Sequence, residues 1–434
     1  MTIENLEVDI LKLNHFLNAR KITTKQIFSK NKSLYKKLVV NKNFKPNKNE
    51  IKFLEKKIII PLSNISVKKK LPDYIFWNYK KIKKTKRSIN RDGIHFYNYY
   101  SLPTPPDYIG PVILDILCPK NKMPKLNNGH LEQAITVNMG PGDINGRWGL
   151  KKNKTNFSIM KFNSNKKNNW IIGDTYVEPS YCPHSYSLAS ETRSQILSYT
   201  AKSPIEKLIK NLNSFSSDSF KNILKNLKNK KIQSALLNFY LKNRGINSKY
   251  LSKYTKLKIS SLDQILKNKK ILKKTCDLLS IDQNIFLKTR YNEDKIGKTY
   301  MSYKKSEKTI RKFKSYVVAS MASTSRYPDL YGLFIKVKKN KIIKDLLDYT
   351  CSHYLVTSGK LKFYINNKKI SLNKGDAIWV SSFKMHGFSG SGSLMKLVNG
   401  ESVDSNDLTQ ISKLYNPINT LIRSYKDEKS WGYD

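Results

Sequence analysis

GDTYVEPSYCPHSYS at 173–187 and GDAIWVSSFKMHGFS at 375–389 open on the same Gly-Asp pair, then carry Ser seven and His eleven positions further on. The chain therefore holds an imperfect copy of itself. Upstream the likeness continues, since HFYNYYSLPTPPDYIGPVILDI (95–116) aligns with SYVVASMASTSRYPDLYGLFIKV (315–337) through a Ser, a Pro-Asp pair and a Gly followed by β-branched residues. A second repeat sets LNARKITTKQI (17–27) over LKNRGINSKYL (241–251), Arg20 on Arg244 and Ile22 on Ile246. A chain duplicated in this way folds as two like units in tandem.

Each unit has two textures. Around 6–40 and 235–280 apolar residues recur at three- and four-residue steps, broken by Thr-Thr-Lys or Asn-Ser-Lys. This predicts small helical bundles with a tight turn, similar to a helix-turn-helix. The remainder consists of short β-rich runs with Gly and Pro corners, which predict barrels. The expected class is α+β: a helical domain at 1–75, a β-barrel at 86–202, a second helical domain at 203–295 and a second barrel at 299–434, with KKIKKTKR (80–87) as linker.

The 434 residues carry 81 Lys and Arg against 32 acids, a formal net charge of +49, and only ten of the basic residues are arginine. Base and phosphate recognition favours the guanidinium fork, so lysine spread over every segment reads as codon bias rather than a nucleic-acid stripe. The charge does attract anionic substrates. No run of about 18 apolar residues is present, and acids stand where a signal peptide needs a basic start. The expectation is a cytoplasmic protein with no membrane and no specific nucleic-acid partner; a homo-oligomer is compatible with it. Cys118, Cys182, Cys276 and Cys351 lie far apart with no CxxC pair, which argues against disulfides and a zinc knuckle.

Of six histidines, five fall in the barrel segments, among them His130, His184, His353 and His386. In the first barrel His130 and His184 have carboxylate or amide neighbours, and two imidazoles with one oxygen ligand suit an open Fe(II) site. Three residues compete for the third position. Glu132 shares the face of His130 if the segment is a strand, Gln133 follows it, and Glu178 is six residues before His184, where Pro179 and Pro183 argue against a regular strand. Glu132 with Arg193 would suit a 2-oxoglutarate oxygenase. In the second barrel the position of Glu178 is Val380, so that barrel is expected to be degenerate and metal-free. Arg91, Tyr99, Asn127 and Ser198 are candidate donors to a small oxyanion.

The runs RDGIHFYNYY, VILDILCP, NNGHLE, GPGDINGRWG, YVEPSYCPHSYSLA, SYTA and the final WGYD closely resemble the family of 2-hydroxyethylphosphonate dioxygenase and its relative methylphosphonate synthase. The resemblance runs along nearly the whole chain and is strongest over 86–202. It implies a bicupin and a mononuclear non-haem Fe(II) enzyme that cleaves the carbon–carbon bond of 2-hydroxyethylphosphonate with O₂, giving hydroxymethylphosphonate and formate. It also implies that His130, Glu178 and His184 are ligands, that Arg91, Tyr99, Asn127 and Ser198 hold the phosphonate, and that Lys21 closes over it. Tyr99 and Lys21 carry the catalytic roles. Gln133 stands where the dioxygenase motif has Pro, and a glutamine ligand belongs to the methylphosphonate branch, which is the alternative product. The rival from another class is a helix-turn-helix plus cupin regulator of DNA. Against it, 23–38 offers chiefly lysines, fit only for salt-sensitive phosphate contact.

Overall fold

The computed structural model describes residues 6–426 apart from 41, 59–61, 68–69, 92, 123, 150–155, 165, 228–231, 287–291 and 340–343; the WGYD run at 431–434 lies outside them. Its strands are β1 (Tyr74–Trp77), β2 (Arg87–Arg91), β3 (Ile94–Ser101), β4 (Val112–Ile116), β5 (Ala134–Pro141), β6 (Ile144–Trp148), β7 (Asn156–Met160), β8 (Thr175–Glu178), β9 (His184–Leu188) and β10 (Ser194–Thr200), then β11 (Thr299–Met301), β12 (Arg311–Lys312), β13 (Tyr316–Ser320), β14 (Leu330–Lys339), β15 (Ser352–Ile365), β16 (Lys368–Asn373), β17 (Ala377–Val380) and β18 (His386–Asn399).

The helical repeat folds as its periodicity predicts. Helices at Ile10–Ala19, Thr24–Phe28, Lys32–Val39 and Lys48–Ile58 bury Leu13, Leu17, Phe28, Leu34, Ile51 and Leu54 in one cluster. Thr23 closes the second helix with a capping box to Gln26. In the copy, Ile232–Asn243, Ser248–Thr255, Leu262–Lys267 and Lys269–Leu279 bury Leu237, Leu251, Ile265 and Leu279. The aligned residues Lys21 and Gly245 both take left-handed backbone, φ 58° and 63°, just past a helix end. Gly is at ease there, whereas Lys pays a steric penalty.

All strand pairings are antiparallel. One sheet has the order β11-β8-β5-β10-β4-β3-β2, faced by the small sheet β7-β6-β9; the other runs β1-β17-β15-β18-β14-β13-β12, with β16 beside β15. The sheets are not closed barrels, which corrects the barrel expectation to a cupin-like arrangement of open, curved sheets. The first copy splits what the second keeps whole: β18 spans the stretch that β9 and β10 cover in two pieces.

The order of strands also shows an exchange of arms. β1, from the first half, pairs with β17 of the second, and β11, from the second half, pairs with β8 of the first. The repeated Gly-Asp explains the exchange. Asp174 accepts the backbone N–H of Tyr303 at 2.8 Å and the Tyr300 hydroxyl, while Asp376 accepts the N–H of Tyr79 at 2.8 Å. Each buried Asp thus locks the arm of the other half. The basic run at 80–87 is not a linker: Tyr79–Lys83 is a helix, Ile82 is buried in the core and Arg87 begins β2.

Strands buried on both faces hold the halves together. Along β10, Leu197 and Tyr199 join Val317, Phe334, Leu355 and Leu397 in a core between the two large sheets, while Ile196 faces the interior of the first half with Phe96, Leu114 and Trp148. That two-residue alternation leaves Ser198 on the interior face.

Candidate metal centre

Two interlocked loops deliver the histidines. His184 is the first residue of β9 and Glu178 the last of β8, so only the turn 179–183 separates them. Glu178 therefore does sit on a strand despite Pro179. His130 lies on irregular chain ahead of β5, so the strand periodicity expected to put Glu132 on its face is absent. The Tyr181 N–H donates to the His130 carbonyl at 2.6 Å, and a Cβ on Gly129 would come within 2.6 Å of the Tyr181 backbone. Only glycine allows so close an approach. Asn127 ties the second histidine down: its N–H donates to the His184 carbonyl at 3.0 Å, its Oδ1 accepts the His184 N–H at 2.9 Å, and its amide nitrogen lies 2.9 Å from Nε2 of the ring.

The Glu178 side chain, 2% exposed, bridges the pair, with Oε1 3.1 Å from His130 Nε2 and Oε2 3.4 Å from His184 Nδ1. Ligand atoms of the three residues lie within 4.8 Å of one another, the only such group among the described His, Cys, Asp and Glu residues. The hydrogen bonds of His130 make a cation there favourable, while the His184 ring is held by the Cys182 carbonyl, 2.9 Å from Nδ1, and by Asn127. His130 Nδ1 lies 2.6 Å from the Glu132 carbonyl and so donates its proton outward. Nε2 and a carboxylate oxygen then face each other as two acceptors, an arrangement that needs a proton or a metal between them. Without metal the proton serves, and the bond to Glu178 raises the pKa of His130 above the ordinary value against the opposing effect of burial. Glu178 Oε2 is buried without a hydrogen-bond partner, a further mark of a site shaped for a cation. Cys182 is near, but its sulfur is not among the ligand atoms that converge, and burial first and Glu178 second push its thiol up to about 12.

Gln133 is buried; its amide nitrogen donates to the Ser180 hydroxyl at 2.5 Å, across the turn, while its amide oxygen, like Glu178 Oε2, is buried without a hydrogen-bond partner. The Arg193 side chain is exposed, so the structure does not bring it to the histidines as a 2-oxoglutarate scheme requires. His130 and His184 open into a cavity of about 180 Å³ also lined by Tyr97, Tyr99, Asn127 and Ser198. Tyr99, Asn127 and Ser198 are thus brought together as the sequence suggested. Lys21 is exposed on the helical bundle and is not among the lining residues. The side chain of Arg91 lies outside the described residues. Sequence reasoning missed Tyr186, whose ring is 5.6 Å from that of His184 and packs on Trp148 at 6.2 Å; strand alternation after His184 carries the signal.

Among the described residues of the second half, no comparable group of His, Cys, Asp and Glu ligand atoms converges. Ser198 pairs with Val112 and Thr136, and Lys396 pairs with Leu333 and Tyr354. Since Val112 and Leu333 oppose the repeated Ser101 and Ser320, Lys396 occupies the place of Ser198 and Tyr354 that of Thr136. Lys396 is ion-paired with Asp348, and the Tyr354 hydroxyl lies 2.8 Å from His386 Nε2. His353 points elsewhere, against Thr104 and the ring of Tyr199.

Burial pushes His353 down to about 3. The unfolded chain takes up that proton near pH 6.5 and the folded chain does not, so stability is full above pH 6.5 and falls as pH drops toward 3. At pH 5 the deficit from this residue is about 2 kcal/mol. Denaturation midpoints from pH 8 to 4 should show it, with His353→Leu flattening the acid limb; an unchanged slope in that variant would refute the assignment.

A family model described as the 2-hydroxyethylphosphonate dioxygenase cupin-like domain matches residues 83–201. The chain is 37% identical over 360 residues to the 2-hydroxyethylphosphonate dioxygenase of Streptomyces viridochromogenes, with 81% of each covered. A solved 2-hydroxyethylphosphonate dioxygenase variant is similar at TM-score 0.88 and 32% identity, over 96% of this chain and 100% of that one. PhpD with cadmium and the phosphonate is similar at TM-score 0.83 and 32% identity, over 96% and 99%. No helix among the described residues is long and apolar enough to cross a membrane.

Proposed function

The chain belongs to the 2-hydroxyethylphosphonate dioxygenase family, and from that premise we propose that it uses Fe(II) and O₂ to cleave the carbon–carbon bond of 2-hydroxyethylphosphonate. The products are hydroxymethylphosphonate and formate, which between them account for both atoms of O₂, so no added reductant is needed. The observation that carries this reading is the Glu178 carboxylate set between two imidazoles at a cavity that Tyr99 and Ser198 also line.

His130, Glu178 and His184 are assigned as the iron ligands, and Gln133, with its amide engaged by Ser180, as a neighbour that braces the turn. Bound there, iron supplies the Lewis acidity and one-electron chemistry through which O₂ reacts. The rest falls to the chain. The cavity is smaller than the ~300 Å³ floor for drug-sized ligands and suits a two-carbon phosphonate. Thr136 donates to Ser198 Oγ at 3.2 Å, leaving the Ser198 proton to point at a phosphonate oxygen alongside Tyr99. Arg91 and Lys21 are assigned to the same group on the family resemblance, and the left-handed backbone at Lys21, where the copy has Gly245, supports a functional reason for that lysine. Tyr186, Trp148 and Tyr176 pack behind His184 and exclude water from that side.

The architecture is read as a bicupin, with helical domains at 1–75 and 203–295, cupins at 86–202 and 299–434, and arms exchanged between them. Val380, Lys396 and Tyr354 in place of Glu178, Ser198 and Thr136 support a second cupin that holds no metal. The methylphosphonate reading is kept by Gln133 alone. Anaerobically iron-loaded protein given the substrate and then air should convert its ³¹P resonance to that of hydroxymethylphosphonate with one formate each. Methylphosphonate would place the chain in the sister activity, and an unchanged substrate signal would reject the proposal.

A further inference from the structure

We propose that Lys298, brought to the first cupin by the arm of the second half, is a positioning residue: its buried ammonium offsets the Glu178 carboxylate and sets how strongly the site holds a divalent cation relative to a dianion. The proposal rests on the metal-site reading above.

The register places it. β11 pairs Thr299 with Val177, Tyr300 with Tyr176 and Met301 with Thr175, so one step further along the same register Lys298 stands across from Glu178. Residues opposite each other in an antiparallel pair project to the same face, with Cβ atoms roughly 5 Å apart. The ammonium is 3.9 Å from the centre of the Trp148 ring and 3.5 Å from the Ser158 hydroxyl, in a residue 5% exposed. Trp148 in turn packs on Tyr176 and Tyr186, the aromatic wall behind His184.

The backbone fixes the lysine in place. Asp294 Oδ1 accepts the N–H groups of Ile296 and Lys298 at 3.0 and 2.9 Å, and the Asp294 N–H donates to the Lys298 carbonyl at 2.8 Å. At φ 87°, Gly297 packs this turn against Pro179, next to Glu178. Asp294 is exposed and its field is weakened by water, whereas Glu178 acts on Lys298 through the interior. Burial lowers the lysine pKa, opposed by Asp294, Cys182 and Glu178.

The copy supplies a control. There the residue across from Val380, the counterpart of Glu178, is Tyr74, which packs in the apolar core beside Phe363. Where the carboxylate is missing, the lysine is missing too. A charge facing a carboxylate in the working half and an aromatic ring facing valine in the silent half is what an electrostatic role requires. Packing alone does not require it.

Lys298→Met keeps the length of the side chain and removes the charge; Lys298→Arg keeps the charge. In the full-length protein without substrate, Co(II) titration should show the Met variant binding on the order of 3–10-fold more tightly, because a positive neighbour is gone. The KM for 2-hydroxyethylphosphonate should rise by a similar factor with kcat changed less, and Arg should restore both. Tighter metal with weaker anion is a pair of opposite effects that a disturbed core does not produce. Loss of both, or change in neither, overturns the role of Lys298, and Lys298→Gln carries the test if Met fails to fold. Wild-type protein that does not take up one Co(II) would instead sink the metal site itself.

Discussion

Alanine at Glu178 is expected to abolish turnover and iron retention while leaving the fold intact, and alanine at Gln133 is expected to leave iron bound. Glu178 spans both imidazoles, at 3.1 and 3.4 Å, so its removal takes away the anionic member of the set and opens the geometry at once. The loss of affinity should exceed the ~10–100-fold typical of residues that only support a ligand. His184→Ala and His130→Ala should behave alike. Gln133→Ala removes a donor to Ser180 and should cost no more than such a supporting residue. Equilibrium dialysis against Fe(II) under nitrogen, with circular dichroism as the control for folding, decides the matter. Iron kept by Glu178→Ala and lost by Gln133→Ala would move the third ligand to glutamine and the product toward methylphosphonate.

Asp174→Ala should destabilise the protein by about 3–5 kcal/mol, the cost of stripping a buried charged acceptor from several donors. Its carboxylate accepts the N–H groups of Lys161 at 2.7 Å and Tyr303 at 2.8 Å together with the Tyr300 hydroxyl, all in a residue 1% exposed. Because Tyr300 and Tyr303 belong to the exchanged arm, the variant should release Thr299–Met301 from β8 and raise amide exchange along both strands. Metal affinity should fall with it, since Glu178 ends β8. Asp376→Ala should loosen the opposite arm and leave the metal site largely unaffected. A loss below about 1 kcal/mol for Asp174→Ala would show that the sheets, and not these carboxylates, hold the arms.

The two Gly-Asp pairs were legible as a repeat, but their purpose was not. Sequence alignment sets Asp174 on Asp376; only the fold shows that each receives a tyrosine N–H from the other half. The basic run at 80–87 misled for a related reason, since Lys80, Lys81, Lys84 and Lys86 are exposed in and just after a helix whose Ile82 is in the core. Glu132 was placed by a strand rule that holds only where a strand forms, and the chain at His130 is irregular. Tyr99, Asn127 and Ser198 stood out because they sit in long, distinctive runs, and one cavity is lined by all three.

By itself the sequence determined that the chain is duplicated, that His130 and His184 carry oxygen donors nearby and that the second copy lacks Glu178. These follow from residue identity and local spacing, which a single strand or turn converts directly into a direction in space. The tertiary structure alone decided that Glu178 lies between both rings while Gln133 turns to Ser180, that the halves trade arms and that Lys298 stands across from Glu178. The last two are matters of register between strands over a hundred residues apart, and which strands pair is set by burial of both sheet faces, a property of the whole fold that no local window contains.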